Sequence, residues 1–92
     1  MITKIAAITD KLRIEIMQIL TDNGKACVQD IIEMLHDKKI FATQPNVSQA
    51  LRILRDSNVV DYNRHGTYKI YYVKRKDLFI ELKNIIIKYE NA

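Results

Sequence analysis

TQPNVSQALRILRDSNVVDYNRHGTYKIYY, residues 43–72, is the stretch of this 92-residue chain that decides its fold. Apolar side chains recur in its first half at i, i+3, i+4 and i+7, the spacing of one helix face: Val47, Ala50, Leu51 and Leu54. Thr43 is a good N-cap, and Pro45 falls in the first turn, where N–H groups lack helical partners. The pattern predicts a helix that begins after Thr43.

The opposite face of this helix is polar. It carries Gln44, Asn46, Ser48, Gln49, Arg52 and Arg55, and Thr43 stands at its start. Amide, hydroxyl and guanidinium groups are the side-chain types that hydrogen-bond to base edges and phosphates. We therefore expect the helix to enter a groove of double-stranded DNA.

A two-stranded ribbon is predicted directly after the helix, over about residues 59–73, because apolar and polar residues alternate there. Gly66 permits the positive φ that a tight connection needs. The alternation places five side chains on one face: Val60, Tyr62, Tyr68, Ile70 and Tyr72.

The tip of the ribbon is basic. Arg64 and His65 are expected at the tip itself, with Lys69 on the second strand. We expect these three side chains to contact the DNA backbone or the minor groove.

This segment resembles the helix-turn-helix and wing of the ArsR-type winged-helix repressors. The matching motifs are Thr43-Gln44-Pro45, Val47-Ser48, Leu51-x-x-Leu54, Val59-Val60, Arg64-x-Gly66 and Tyr71-Tyr72. Upstream, residues 7–14 are similar to the family's Ala-Leu-Ala-Asp-x-x-Arg-x-x-Ile stretch, and residues 26–31 are similar to the start of its helix before the turn. The resemblance implies an α+β, mainly helical fold: a winged helix-turn-helix with about five helices and a β-hairpin wing.

The rest of the chain supplies the remaining elements of such a fold. Apolar patterning predicts helices over 2–8, 10–22, 28–36 and 75–90, and a short edge strand over 25–27. Asn23-Gly24 is a plausible stop for the second of these helices. The connection 37–42 is longer than the turn of the family.

Composition and charge favour one folded domain that binds a polyanion. The chain is 48% hydrophobic and 28% charged, which describes a globular protein rather than a disordered one. Residues 38–76 hold nine Lys or Arg against two acids, whereas residues 1–37 and 77–92 are slightly acidic. This asymmetry is typical of a nucleic-acid-binding face; the alternative is that the lysines only keep the surface soluble. With neither a membrane-length apolar run nor a signal-peptide pattern, we expect a cytoplasmic protein.

The last predicted helix is more apolar than a surface helix of a small monomer. Ile85, Ile86 and Ile87 point in three directions, so one face cannot hide them all. We expect a homodimer built from 2–8 and 75–90, although both sides of the last helix could instead pack within one chain. The residues expected at the interface are Ile5, Leu78, Phe79, Leu82, Ile85, Ile86 and Tyr89.

No constellation for catalysis, cofactor or metal binding is evident. The family includes metalloregulators, and one of their sites uses Cys-x-Cys at the start of the third helix. Here Cys27 matches the first thiol, but Gln29 replaces the second. Another family site lies on the last helix, where residues 75–92 contain no histidine. Cys27 is then either a small buried hydrophobe or a redox-active thiol near a helix N-terminus.

These patterns predict a dimeric, sequence-specific DNA-binding transcriptional regulator, most simply a repressor, with no metal and no enzymatic activity. Two alternatives stay open. The domain could be a winged-helix protein-interaction module, or a thiol-responsive regulator that uses Cys27.

Overall fold

The computed structural model describes residues 11–77, 79–81 and 84, which form a winged helix-turn-helix. Its elements are α1 (Lys11–Asn23), α2 (Val28–Asp37), α3 (Gln44–Asp56), β1 (Val60–His65) and β2 (Tyr68–Val73). Helical residues at 76–77, 79–81 and 84 follow the hairpin. The described part of the chain thus contains four helices, and the helix predicted over 2–8 lies outside it. No helix within the described ranges is long and apolar enough to cross a membrane.

The first helix, α1, ends where the sequence indicated. Gly24 adopts φ +85°, and its N–H donates to the Leu20 carbonyl at 2.8 Å. Glycine takes this left-handed conformation without the steric cost that a Cβ imposes. The helix α1 buries four of its own side chains in the core: Ile16, Met17, Ile19 and Leu20.

The long connection after α2 begins with a Schellman-type ending. Lys39 has φ 65° and donates its N–H to the His36 carbonyl, and the Ile40 N–H donates to the Leu35 carbonyl at 2.9 Å. These bonds satisfy two carbonyls that a helix end leaves without partners. The chain then reaches Phe41, whose ring contacts that of His36 at a centroid separation of 4.7 Å. The extra length is therefore ordered by the helix that precedes it.

The core lies between the three helices and the base of the hairpin. Its fully buried side chains are Ile16, Met17, Leu20, Ile31, Leu35, Val47, Leu51, Leu54, Val59, Val60 and Phe79. Each element contributes one apolar face, as expected for a small domain with one core.

The hairpin register corrects the predicted facing of β2. Val60 pairs with Val73 and Tyr62 with Tyr71, across a two-residue loop. Paired residues lie on the same face of an antiparallel ladder, so Tyr71 and Val73 face the core, and both are buried. The prediction that Tyr68, Ile70 and Tyr72 share the face of Val60 and Tyr62 was wrong, because a shift of one residue exchanges the two faces of a strand.

The edge strand expected over 25–27 is a single bridge. Ala26 pairs with Tyr71, and the two residues exchange N–H···O bonds of 3.0 and 2.8 Å. This contact ties the base of the hairpin to the segment that leads into α2.

Candidate nucleic-acid interface

The recognition-helix candidate, α3, has the predicted start and the predicted buried face. The Thr43 hydroxyl accepts from the Asn46 N–H at 3.4 Å, and a proline occupies the first turn. Val47, Ala50, Leu51 and Leu54 are 0–5% exposed. Because these four side chains fix the helix against the core, the opposite face points outward.

All the polar α3 residues that the sequence singled out are exposed, but they divide between two sides of the helix. Gln44, Ser48, Arg52 and Arg55 line a groove that faces the hairpin. Asn46 and Gln49 lie on the side towards Leu12 and Arg13, at the start of α1. The candidate base-reading residues thus cover a broad arc of α3.

The groove between α3 and the hairpin has a volume of about 770 Å³. One wall is α3, another is the hairpin, and the N-terminal end of α2 closes it with Cys27, Val28 and Gln29. It brings Lys69 of β2 opposite the arginines of α3. Arg64 and His65 are not among its lining residues.

The basic residues Arg64 and His65 lie at the end of β1 rather than in the loop at the hairpin tip. The loop itself is Gly66, with φ +64°, and Thr67, while Arg64 and His65 end β1. Arg64 pairs with Lys69, and His65 pairs with Tyr68. The predicted side chains are all exposed, so the tip carries positive charge on both strands.

Tyr68 is a candidate contact residue that the sequence reasoning missed. Its side chain is 65% exposed and borders the groove. The alternation predicts Tyr68 on the face of Val60, whereas the pairing places it on the opposite face. Its position beside a two-residue glycine loop, far from the base of the hairpin, was the available signal for exposure.

An aromatic and ionic cluster joins α3 to the hairpin. The guanidinium carbon of Arg55 lies 4.6 Å from the centroid of the Tyr62 ring, and Lys69 Nζ lies 4.9 Å from the same centroid. Arg55 Nε also donates to Asp61 Oδ1 at 3.3 Å. The Tyr62 N–H hydrogen bond to the Asp61 carboxylate, helped by Arg55, lowers the pKa of Asp61.

Tyr71 completes this region from the core side. Its ring centroid lies 5.4 Å from that of Tyr62. Burial, reinforced by the neighbouring Tyr62 phenol, raises the pKa of the Tyr71 hydroxyl. The base of the hairpin is therefore drier than its tip.

The predicted thiol lies at the end of a helix. Cys27 is the N-cap residue of α2, is half-buried, and makes no side-chain capping bond. Within the described residues no three His, Cys, Asp or Glu side chains are grouped to hold a metal ion. Cys27 is thus more accessible than the buried-hydrophobe interpretation required.

Most of the residues expected at a dimer interface lie outside the described part of the chain: Ile5, Leu78, Leu82, Ile85, Ile86 and Tyr89. Phe79 is described, and at 1% exposed it belongs to the core of one protomer. That burial corrects its expected place on a surface between protomers. Ile80, one residue further, is 50% exposed and was not singled out from the sequence.

A helix-turn-helix with a polar outer face, followed by a basic hairpin, defines a winged-helix nucleic-acid-binding protein. Residues 10–62 match the bacterial regulatory protein family arsR, which is more than half of the chain. The chain belongs to this family. It is accordingly a DNA-binding transcriptional regulator and not an enzyme.

Two relatives are similar over most of this chain. An uncharacterized HTH-type transcriptional regulator of Methanocaldococcus jannaschii is 37% identical over 67 residues, covering 73% of this chain and 70% of the relative. The arsenical resistance operon repressor of Bacillus subtilis is 37% identical over 68 residues, covering 74% of this chain and 60% of that repressor.

A solved structure shares the fold. The homodimeric winged helix-turn-helix DNA-binding domain of a Mycobacterium bovis protein superimposes with a TM-score of 0.73 at 18% identity. The match covers 95% of this chain and 76% of that one. At this identity the likeness concerns the fold alone.

Proposed function

We propose that this chain is a homodimeric regulator that represses transcription by occupying a palindromic operator in double-stranded DNA. The observation that carries the proposal is the exposed polar face of α3 beside a basic hairpin. In this arrangement Gln44, Asn46, Ser48, Gln49 and Arg52 read base edges, with Thr43 at the helix start. Arg64, His65 and Lys69 contact the backbone or the minor groove. Such a protein works in the cytoplasm, at the nucleoid.

Selection of bound sequences from random duplex DNA tests this function. A dimer with two-fold symmetry should select inverted half-sites about 10–11 base pairs apart between centres, one helical turn. Binding should weaken steeply with salt, because affinity rests partly on phosphate neutralisation. If no sequence is enriched and no salt-sensitive binding is seen, the protein-interaction module becomes the better description.

The dimer is proposed to form through residues 2–8 and 75–90, with the winged helix as a single domain over 1–92. Support comes from the surplus of apolar residues in the last segment and from exposed Ile80. The Mycobacterium bovis neighbour is itself described as homodimeric. Ile86→Glu should place an unpaired charge at this interface and produce monomers. Sedimentation of the wild-type chain as a monomer at roughly tens of micromolar would contradict the proposal.

The regulator is proposed to work without a metal. Soft ions need several thiolates for a tight site, and the sequence contains a single cysteine. Zinc, cadmium or arsenite at micromolar concentration should leave the protein bound to its operator. Stoichiometric ion binding that is abolished in Cys27→Ser would overturn this proposal.

A thiol-responsive mode is a second candidate, because half-buried Cys27 borders the groove between α3 and the hairpin. Oxidation should then lower DNA affinity in the wild type but not in Cys27→Ser. Equal affinities before and after oxidant would remove this candidate.

A further inference from the structure

The hairpin is firmly attached to α3 at its base. Asn58 turns the chain with φ 65°, and the Val59 N–H donates to the Leu54 carbonyl at 3.0 Å. The Lys74 N–H returns to the Val59 carbonyl at 2.9 Å. These bonds fix where the two strands begin and end, but they lie far from the tip.

Beyond its base the hairpin has few packed contacts. From Asn63 to Lys69 every residue is exposed. A two-stranded ribbon without a covering layer is only marginally stable in water. The angle between the hairpin and α3 therefore depends on contacts made halfway along the strands.

Tyr62 makes those contacts. Its half-buried ring receives Arg55 of α3 at 4.6 Å and Lys69 of β2 at 4.9 Å, both within the range of cation–π attraction. The two cations come from the two elements that the proposed function sends to DNA. The Tyr62 ring is thus a common contact of the recognition helix and the wing.

The surroundings of Tyr62 hold the ring and Arg55 in place. Asp61 Oδ1 accepts from the Tyr62 N–H at 2.8 Å and from Arg55 Nε at 3.3 Å. Tyr71 packs against the ring from the core side, and its backbone is bonded to Ala26 in both directions. Arg55 therefore contacts a carboxylate and a ring of its own chain, and its planar guanidinium suits both contacts.

We propose that Tyr62 is a positioning residue for DNA recognition: its ring, which contacts both Arg55 and Lys69, sets the separation of α3 and the wing so that both engage one duplex. The inference rests on the proposed function. Tyr62 itself need not touch DNA. It acts by keeping two DNA-contacting elements in a fixed relation, which lowers the cost of engaging both at once.

The test compares affinity for the selected duplex with affinity for a scrambled duplex in Tyr62→Leu. Leucine keeps an apolar side chain but removes the π face. We expect affinity for the selected duplex to fall by roughly 5- to 30-fold, the loss of two exposed cation–π contacts. Affinity for the scrambled duplex should fall by less than about 2-fold, because no charge is removed. Tyr62→Phe and Tyr62→Trp keep an aromatic ring, so both variants should retain the wild-type ratio of the two affinities.

A matched control is Tyr72→Leu, the same substitution at a half-buried position on the opposite face of the hairpin. It should leave the ratio unchanged, which separates positioning from a general loss of stability. Arg55→Lys provides a second variant that keeps the charge but not the planar guanidinium, and it should lower the ratio even if Tyr62→Leu fails to fold. The double variant that combines Tyr62→Leu with Arg55→Lys should lose less affinity for the selected duplex than the two single variants lose together.

Two results would overturn the inference while leaving the proposed function intact. One is an unchanged ratio in both Tyr62→Leu and Arg55→Lys. The other is an equal loss in Tyr62→Leu and Tyr72→Leu. Failure of the function itself has a different signature, since the wild-type chain would then show no preferred sequence.

Discussion

The recognition helix and the wing are held in place by different forces. Four apolar side chains of α3 are 0–5% exposed, so its polar face is fixed by core packing. The hairpin buries side chains only near its base, where the bridge to Ala26 also holds it, and its outer part depends on the Tyr62 cluster. The candidate DNA-contacting residues of α3 are therefore held by a packed core, whereas those of the wing are held by fewer contacts.

This difference matches the two tasks proposed for the two elements. Reading a base edge requires hydrogen-bonding groups placed within a few tenths of an ångström, which packing can secure. Attraction to phosphates falls off gradually with distance and tolerates movement. The helix is thus suited to discrimination and the hairpin to affinity.

The largest effect should come from removing the support of α3. Leu51 is 0% exposed, so Leu51→Ala should destabilise the fold by about 2–5 kcal/mol through lost burial and a cavity. Ile70→Ala, at a half-buried position of the hairpin, should cost under about 1.5 kcal/mol. Urea denaturation followed by circular dichroism measures both. Equal costs would show that the two regions are supported in the same way.

The next effect concerns discrimination by α3. Gln49→Ala removes an exposed amide from the outer face, and a bidentate base contact is worth about 1–3 kcal/mol of discrimination. Affinity for the selected duplex should fall by that amount, while binding to scrambled DNA stays nearly constant. Gln18→Ala on α1 is the matched control and should change neither affinity. An equal loss on both duplexes would remove Gln49 from the base-reading residues.

A smaller effect is expected from the wing. Arg64→Ala should weaken binding to the selected and scrambled duplexes alike, because a phosphate contact carries no sequence information. Each lost contact reduces the log–log salt slope by about 0.9, and a dimer loses two. Arg64→Lys keeps the charge and should preserve the slope. A salt series in which Arg64→Ala retains the wild-type slope on both duplexes would contradict a phosphate contact.

The same two regions differ in how far the sequence predicts them. The start and buried face of α3 follow from local information: the Thr43 cap, the proline in the first turn and a 3.6-residue period. The faces of β2 follow from pairing, since the two-residue loop at Gly66 and Thr67 sets which residues oppose β1. The alternation of residue types within one strand does not determine how that strand pairs with the other. The alternation therefore predicted the wing but placed Tyr68, Ile70 and Tyr72 on the wrong face of β2.

Contacts between elements could not be predicted from the sequence either. Arg55 was expected to contact DNA because it is polar and lies on the outer arc of α3. Its contacts with Asp61 and Tyr62 depend on how the hairpin folds back towards the helix. Phe79 shows the same limit, because whether an apolar residue faces its own core or a partner depends on tertiary packing.

The smallest predicted effect is on the pH dependence of folding stability, which compares the buried base of the hairpin with its exposed tip. Burial raises the pKa of Tyr71 above the ordinary value of 10.0, so the folded state retains a proton that the unfolded chain releases. The contribution of this group to stability is fully present below the unfolded pKa and is lost as pH rises through the raised folded pKa. Stability should therefore decline in alkaline solution, above about pH 10.

Tyr71→Phe should reduce that alkaline decline, because it removes the buried phenol while keeping the ring that packs on Tyr62. Tyr68→Phe is the control. Because the Tyr68 side chain is 65% exposed at the hairpin tip, removal of its hydroxyl should change the alkaline decline little. Urea midpoints measured from about pH 8 to pH 11 compare the two variants with the wild type. If both variants decline in parallel with the wild type, the Tyr71 hydroxyl is as well solvated as that of Tyr68. The base of the hairpin would then be no drier than its tip.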